Sequence, residues 1–403
     1  MESLIHLYKI GRGPSSSHTM GPIAALETFI SKCPDANYYE ITLYGSLALT
    51  GEGHLTNVAL LDVLNEHNLN GDIVFNYDLF GLTHPNTLKI TAFDEDKMEI
   101  TSSTYFSIGG GNIIEDGIEL NPLEDDVYPF ENFEHIKQYC RDRKLSLVDV
   151  VNKFEGEYIN EYLSLIYQTM KQSIERGLNT SGYLPGRLQL QRKAATLYNA
   201  PKCKESSLET KRRLIFACAY AVAEENASGG EVVTAPTCGS AGILPAVLLH
   251  EQLSNNFSDE QIVDALKVAG LIGVTVKQNG SISGAEAGCQ AECGVACAMA
   301  AAALAYLNDL SLDEIEYAAE VALEHHLGLT CDPVGGYVQI PCIERNAVCA
   351  TRAFDAVLIA RHLTSNRRVS LDDIIATMYA TGQDMNPHYR ETSLGGMAKV
   401  IKV

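Results

Sequence analysis

GAEAGCQAECGVACAMAAAALAY, residues 284–306, consists almost entirely of small side chains. A run of this kind reads as helix, and a helix so bare lets neighbouring backbones approach closely. It is expected at the centre of a helical domain. On its N-terminal side, LSLVDVVNKFEGEYINEYLSLIYQTMKQSIERGL (145–178) and TKRRLIFACAYAVAEENASGG (210–230) carry apolar residues at helical spacing, with few strand-like runs between them. The first part of the chain differs. ITLYGSLALT (41–50), NTLKITAFDED (86–96) and KMEITSSTYFSIGG (97–110) are rich in Thr, Ile, Tyr and Phe, as strands are, while TMGPIAALETFISK (19–32) and LTNVALLDVLNEHN (55–68) read as helices. The expected fold class is therefore α+β multidomain, with a small α/β domain over residues 1–130 and an all-α domain over 131–403. The acidic, Pro-punctuated stretch 113–134 is the candidate linker.

Bulk properties narrow the function. With 403 residues, of which 46% are hydrophobic, the chain can fill more than one core. Its net charge of -21 would be repelled by phosphate backbones and anionic lipid, so neither nucleic acid nor a membrane surface is an expected partner. The start, MESLIHLYKIGRGPSSSH, has no secretory pattern, and the apolar run Gly294–Leu307 falls short of the roughly 20 residues of a spanning helix. A cytoplasmic location is the expectation. The 11 cysteines are an odd number set mostly in apolar surroundings, which points to packing or metal binding rather than to disulfides.

Cys289, Cys293 and Cys297 repeat every four residues. On one continuous helix Cys289 and Cys297 would lie roughly 12 Å apart along the axis, too far to ligate one compact cluster together, so Cys297 is read as packing. Cys331 in LTCDPVGG and Cys342 in IPCIERN each adjoin a proline turn, where ligands are often found. Spacing alone leaves ligation and packing both open for Cys289, Cys331 and Cys342. GPSSSHTMGP (13–22) sets three serines and His18 before an apolar helix, where free N–H groups favour an anion, or an ordinary N-cap. TGEGHLTN (50–57) presents His54 from a glycine turn, and SIGGGN (107–112) could cradle an anion.

GPSSSHT, YGSLALTGEGH, YFSIGGG, SGGEVVTAPTCGSAGILPAVL, ISGAEAGCQAECGVACAMAAAAL, EHHLGLTCDPVGG, QIPCIERNA and DMNPHYRETSLGG occur in this order across nearly the whole chain. Together they closely resemble the iron-sulfur-dependent L-serine dehydratases (L-serine ammonia-lyases), in the form that fuses β and α parts. The resemblance implies that Cys289, Cys331 and Cys342 hold a [4Fe-4S] cluster whose fourth iron has no cysteine. It also implies that Ser15, Ser16, Ser17 and Thr19 handle L-serine together with His18 and His54, in a site between the domains. His54 is the first candidate for the base that removes the α-proton and His18 the second. A homodimer is the default assembly. Asn57 stands where many members carry aspartate, so the hydrogen bond orienting His54 is expected to differ. Cys238 and Ala241 of APTCGSAG vary among members and are not expected as ligands.

Three rival readings follow from the same residues. A pyridoxal-phosphate dehydratase would need a Schiff-base lysine, for which Lys277 is the candidate. A cysteine desulfidase would expel sulfide by similar logic. An electron carrier or redox sensor would need neither the vacant iron nor the histidine loops.

Overall fold

The computed structural model describes residues 1–78, 81–117, 126–201 and 204–402. The N-terminal α/β part is built on a five-stranded sheet ordered β3-β2-β4-β5-β6, with β2 Tyr38–Tyr44, β3 Asn70–Asn76, β4 Thr87–Phe93, β5 Glu99–Gly109 and β6 Asn112–Glu115. β2 and β3 are parallel and every other pairing is antiparallel. A parallel pair needs a crossover, here supplied by the helices Gly45–Thr50 and Thr56–Glu66. Alternate residues of β2 and β4, among them Tyr39, Ile41, Leu43, Leu88 and Ile90, face one side and are buried by Leu26, Phe29, Leu60 and Leu64 of the covering helices.

The stretch 41–50 is strand only as far as Tyr44. Gly45 takes φ +57, and a Cβ there would lie 2.3 Å from the Pro85 carbonyl oxygen, so the strand stops and GSLALT turns into helix. A short apolar run does not announce its own period, which is why the sequence reads it as one strand.

The second part is helical and packs around Val295–Leu307, whose residues Ala296 to Ala303 are all fully buried. Asp259–Asn279, Leu312–Glu324 and Cys342–Leu363 pack against it. The segment Gln290–Leu307 is long and apolar enough to cross a membrane by composition, but it is enclosed by these neighbours as a core helix. Residues 284–306 are not one helix. Gly284–Ala287 is a short turn, Gly288 at φ +73 breaks it, Gln290–Gly294 is a π-turn, and the α-helix begins at Val295. Residues 145–178 likewise divide at Gly156, φ +75, into Leu147–Glu155 and Tyr158–Asn179.

Two features cross the expected boundary. Met1, Leu4, Leu7 and Tyr8 belong to the helical core, and β1 (Ile10–Arg12) pairs with β7 (Glu231–Val233), a short strand within the helical part. Within the candidate linker, 113–115 belong to β6, 118–125 lie outside the described residues, and Tyr128 and Phe130 are buried in the helical core. Tyr128 O accepts a 2.7 Å hydrogen bond from the Met1 amino group.

Candidate active site

The PSSSH loop is bound to both halves of the molecule. Ser15 caps the π-turn Ser16–Met20, its hydroxyl accepting from the His18 N–H at 3.1 Å, and this turn runs directly into the helix Gly21–Lys32. From the helical part, Asn226 Nδ2 donates to Pro14 O at 2.7 Å and Gly230 O accepts from Gly13 N at 3.0 Å. Thr19 Oγ1 donates to His54 O at 2.9 Å and Thr56 Oγ1 to His18 O at 2.6 Å, so each histidine backbone is held by the other loop.

The two imidazoles stack, with ring centroids 4.4 Å apart and planes 25° from parallel. Both meet Glu391: its Oε1 lies 3.5 Å from His18 Nδ1 and 3.4 Å from His54 Nε2. All three side chains are buried. Their tautomers follow from the partners. His54 Nδ1 lies 2.9 Å from Thr50 O, which can only accept, so Nδ1 carries a proton and Nε2, facing Glu391 Oε1 at 3.4 Å, is the nitrogen that gains or loses the second. Ser46 Oγ donates to Glu391 O at 2.5 Å, and therefore accepts from His18 Nε2 at 2.9 Å. His18 Nδ1 then accepts from Ser17 Oγ at 2.8 Å. Burial pushes the His18 imidazole down to about 4, with Glu391 pulling it up and His54 pushing it down again, so His18 is neutral near pH 7. Burial raises the Glu391 carboxyl, but the charges of His18 and His54 when these rings are protonated outweigh it and bring the carboxyl below its usual range.

Glu391 is fixed from the cysteine side. Cys331 N donates to Tyr389 O and Glu391 N to Cys331 O, each at 2.7 Å, so the LTCDP loop and the RETS segment run side by side. Gln290 joins the turn of Cys289 to the same loop, its Oε1 accepting from Gly328 N at 2.9 Å. Cys342 opens the helix Cys342–Leu363, and Asn346 ties its carbonyl to the APTCGSAG loop through Gly239 O and Gly242 N. The three thiols act electrostatically on one another. Burial pushes the Cys331 thiol up, and Glu391, Glu292, Cys289 and Cys342 push it further. Burial and Cys289 do the same to Cys342. The Arg345 guanidinium, although burial opposes its charge, is held protonated by Cys289 and Cys293. Three thiols within electrostatic range of one another, two of them also acting on Arg345, offer the soft donors that an iron-sulfur cluster or a thiolate-bound metal takes.

The other candidates lie elsewhere. The Cys297 thiol donates to Cys349 O at 3.2 Å within the core, and Cys238 contacts Met20 Sδ at 3.4 Å. Because the chain breaks at Gly288, Cys289 precedes the helix that carries Cys297. Asn57 Oδ1 is buried without a partner, and the Thr50 carbonyl orients His54 instead. Gly109 and Gly110 of SIGGGN pack against Ser283 and Ile282. Lys277, on the helix Asp259–Asn279, is paired with Glu2 and is not among the side chains that meet His18, His54 and Glu391. Sequence reasoning missed Ser46, Glu292, Arg345 and Glu391. Each lies inside a quoted motif, but a glutamate or arginine in a loop or helix carries no local mark of a buried site.

Comparison with known proteins agrees with this layout. A family model described as serine dehydratase beta chain matches residues 3–70, and one described as serine dehydratase alpha chain matches 88–398. L-serine dehydratase of Haemophilus influenzae is 42% identical, the alignment covering 100% of this chain and 99% of the relative. L-serine dehydratase 2 of Escherichia coli is 40% identical with the same coverage, and L-serine dehydratase of Helicobacter pylori is 39% identical over 99% of each chain. The chain therefore belongs to the serine dehydratase family, with the β part preceding the α part in one polypeptide.

Proposed function

We propose that the protein is an L-serine ammonia-lyase that dehydrates L-serine, and that Cys289, Cys331 and Cys342 hold a [4Fe-4S] cluster. The observation that carries this reading is the pair of stacked imidazoles sharing one buried carboxylate, whose backbone pairs with that of Cys331. Three thiols leave one iron without a protein ligand, and the bound cluster supplies there the Lewis acidity that makes hydroxide an acceptable leaving group.

His54 Nε2 removes the α-proton. The Thr50 carbonyl holds the ring in the required tautomer, and Glu391 Oε1 at 3.4 Å stabilises the imidazolium that forms. His18 stays neutral, directs the Ser17 hydroxyl hydrogen toward itself and completes the wall around Glu391. Ser15, Ser16, Ser17 and Thr19 border the substrate from the PSSSH loop. Burial of the constellation keeps bulk water from competing for the proton. The aminoacrylate released tautomerises and hydrolyses to pyruvate and ammonia without further catalysis.

Anaerobic purification with iron and sulfide analysis, followed by pyruvate assays on L-serine, L-threonine and L-cysteine, tests the proposal. Iron-dependent pyruvate formation from serine is the expected result. Full activity in an iron-free preparation refutes the cluster, and sulfide release from cysteine outpacing serine turnover refutes the substrate.

A further inference from the structure

Glu292, in the π-turn Gln290–Gly294, has no assigned task in this mechanism. Its Oε1 accepts from Thr237 Oγ1 at 2.7 Å, and among the described residues Glu292 forms no ion pair. Of the other buried acids, Glu316 meets Lys137 at 2.5 Å and Glu225 meets Arg192 at 2.8 Å, while Glu224 accepts from the backbone N–H groups of Lys193 and Ala194. Arg345, the nearest cation by its influence, is bound to Thr330 O at 2.9 Å and to the Cys289 thiol. The space beside Glu292 is kept open by glycines. A Cβ at Gly284 would lie 2.8 Å from Glu292 Oε2 and 3.3 Å from Cys331 Sγ, and one at Gly239 would lie 3.1 Å from Glu292 Oε1. The carboxylate and the Cys331 thiol thus border the same bare spot. Glu292, Cys342 and Arg345 are each half-buried rather than fully enclosed. Glu391, the other acid of the site, is already committed to His18 and His54.

We propose that the Glu292 carboxylate, held by Thr237, receives the α-ammonium group of the substrate and thereby selects amino acids over the corresponding hydroxy acids. The inference rests on the reading of the chain as a serine dehydratase. Burial pushes the Glu292 carboxyl well up, and Glu391 and Cys289 push it further, so an ammonium supplies the opposite charge that favours its ionised form, whereas a 2-hydroxy acid does not.

The test compares the anaerobically purified parent holoenzyme with Glu292→Gln and Thr237→Val, each normalised to bound iron. Two constants are measured: the KM for L-serine, and the competitive inhibition constant of L-glycerate, in which a hydroxyl replaces the ammonium. In Glu292→Gln the serine KM should rise about 100-fold while glycerate binds as well as before. Thr237→Val, which retains the carboxylate, should move the same ratio by about 10-fold. An unchanged serine KM in Glu292→Gln overturns the inference, as does a parallel loss of serine and glycerate binding. Should Glu292→Gln fail to bind iron, the ratio in Thr237→Val decides alone. A parent that loads iron but does not convert serine refutes the proposed function instead.

Discussion

Replacing Gly53 with alanine places a methyl group where no space exists. Its Cβ would lie 2.4 Å from the carbonyl carbon of Gly336, 2.5 Å from that residue's oxygen and 2.9 Å from the Gly335 oxygen. Ordinary carbon contacts are about 3.5 Å or longer, so the GEGH turn and the 334–336 turn must separate by about 1 Å. Both partners are backbone, and no flexible side chain can move instead. His54 is the next residue, and its Nε2 stands 3.4 Å from Glu391 Oε1 across this contact. A displacement of about 1 Å in a catalytic group costs on the order of 100-fold in rate, whereas overpacking costs about 1–3 kcal/mol of stability. Gly53→Ala should therefore lower kcat about 100-fold in protein that stays folded and keeps its iron, as measured by anaerobic pyruvate assay beside thermal unfolding. A kcat within about threefold of the parent would refute the claim that this glycine contact sets the alignment of His54 with Glu391.

Three further outcomes follow from the geometry. The folded pKa of His18, about 4, lies below the ordinary 6.5, so its contribution to stability is fully present above pH 6.5 and is lost as pH falls toward 4. The unfolding free energy from urea titration should fall by less between pH 7.5 and pH 5 in His18→Asn than in the parent, the difference reaching about 2 kcal/mol. Asn226→Ala removes the 2.7 Å bond to Pro14 O and should cost about 1–3 kcal/mol, with a raised serine KM as the PSSSH loop loosens, checked by denaturation and steady-state kinetics. Iron analysis should separate the cysteines: Cys331→Ser should lose bound iron, whereas Cys297→Ser, altering a thiol that faces Cys349 O in the core, should retain it.

The order of elements and the site's loops were legible because each has a local cause. Strand patterns, helical spacing and the small-residue run of 284–306 all act over a few residues, and PSSSH, GEGH and the proline-flanked cysteines mark turns that present side chains. GSLALT was misread because a short apolar run has no period of its own, and Gly45 turns the chain through a contact with Pro85, 40 positions away. The unbroken helix expected over 284–306 fails at Gly288 for a similar reason: a Cβ there would meet Leu329 O at 2.7 Å, so the break is enforced from another loop.

By itself, then, the sequence determined the element types, the two-part layout and the residues with suitable chemistry. Only the tertiary structure decided how they combine. Met1 to Tyr8 join the helical core because their apolar side chains find burial there, despite lying at the start of the α/β half. Glu391, 337 positions after His54 in the same chain, reaches His18 and His54 because its backbone pairs with Cys331. The state of each imidazole is likewise set by carbonyl and hydroxyl partners from other loops, since a ring's proton position depends on what surrounds it in space.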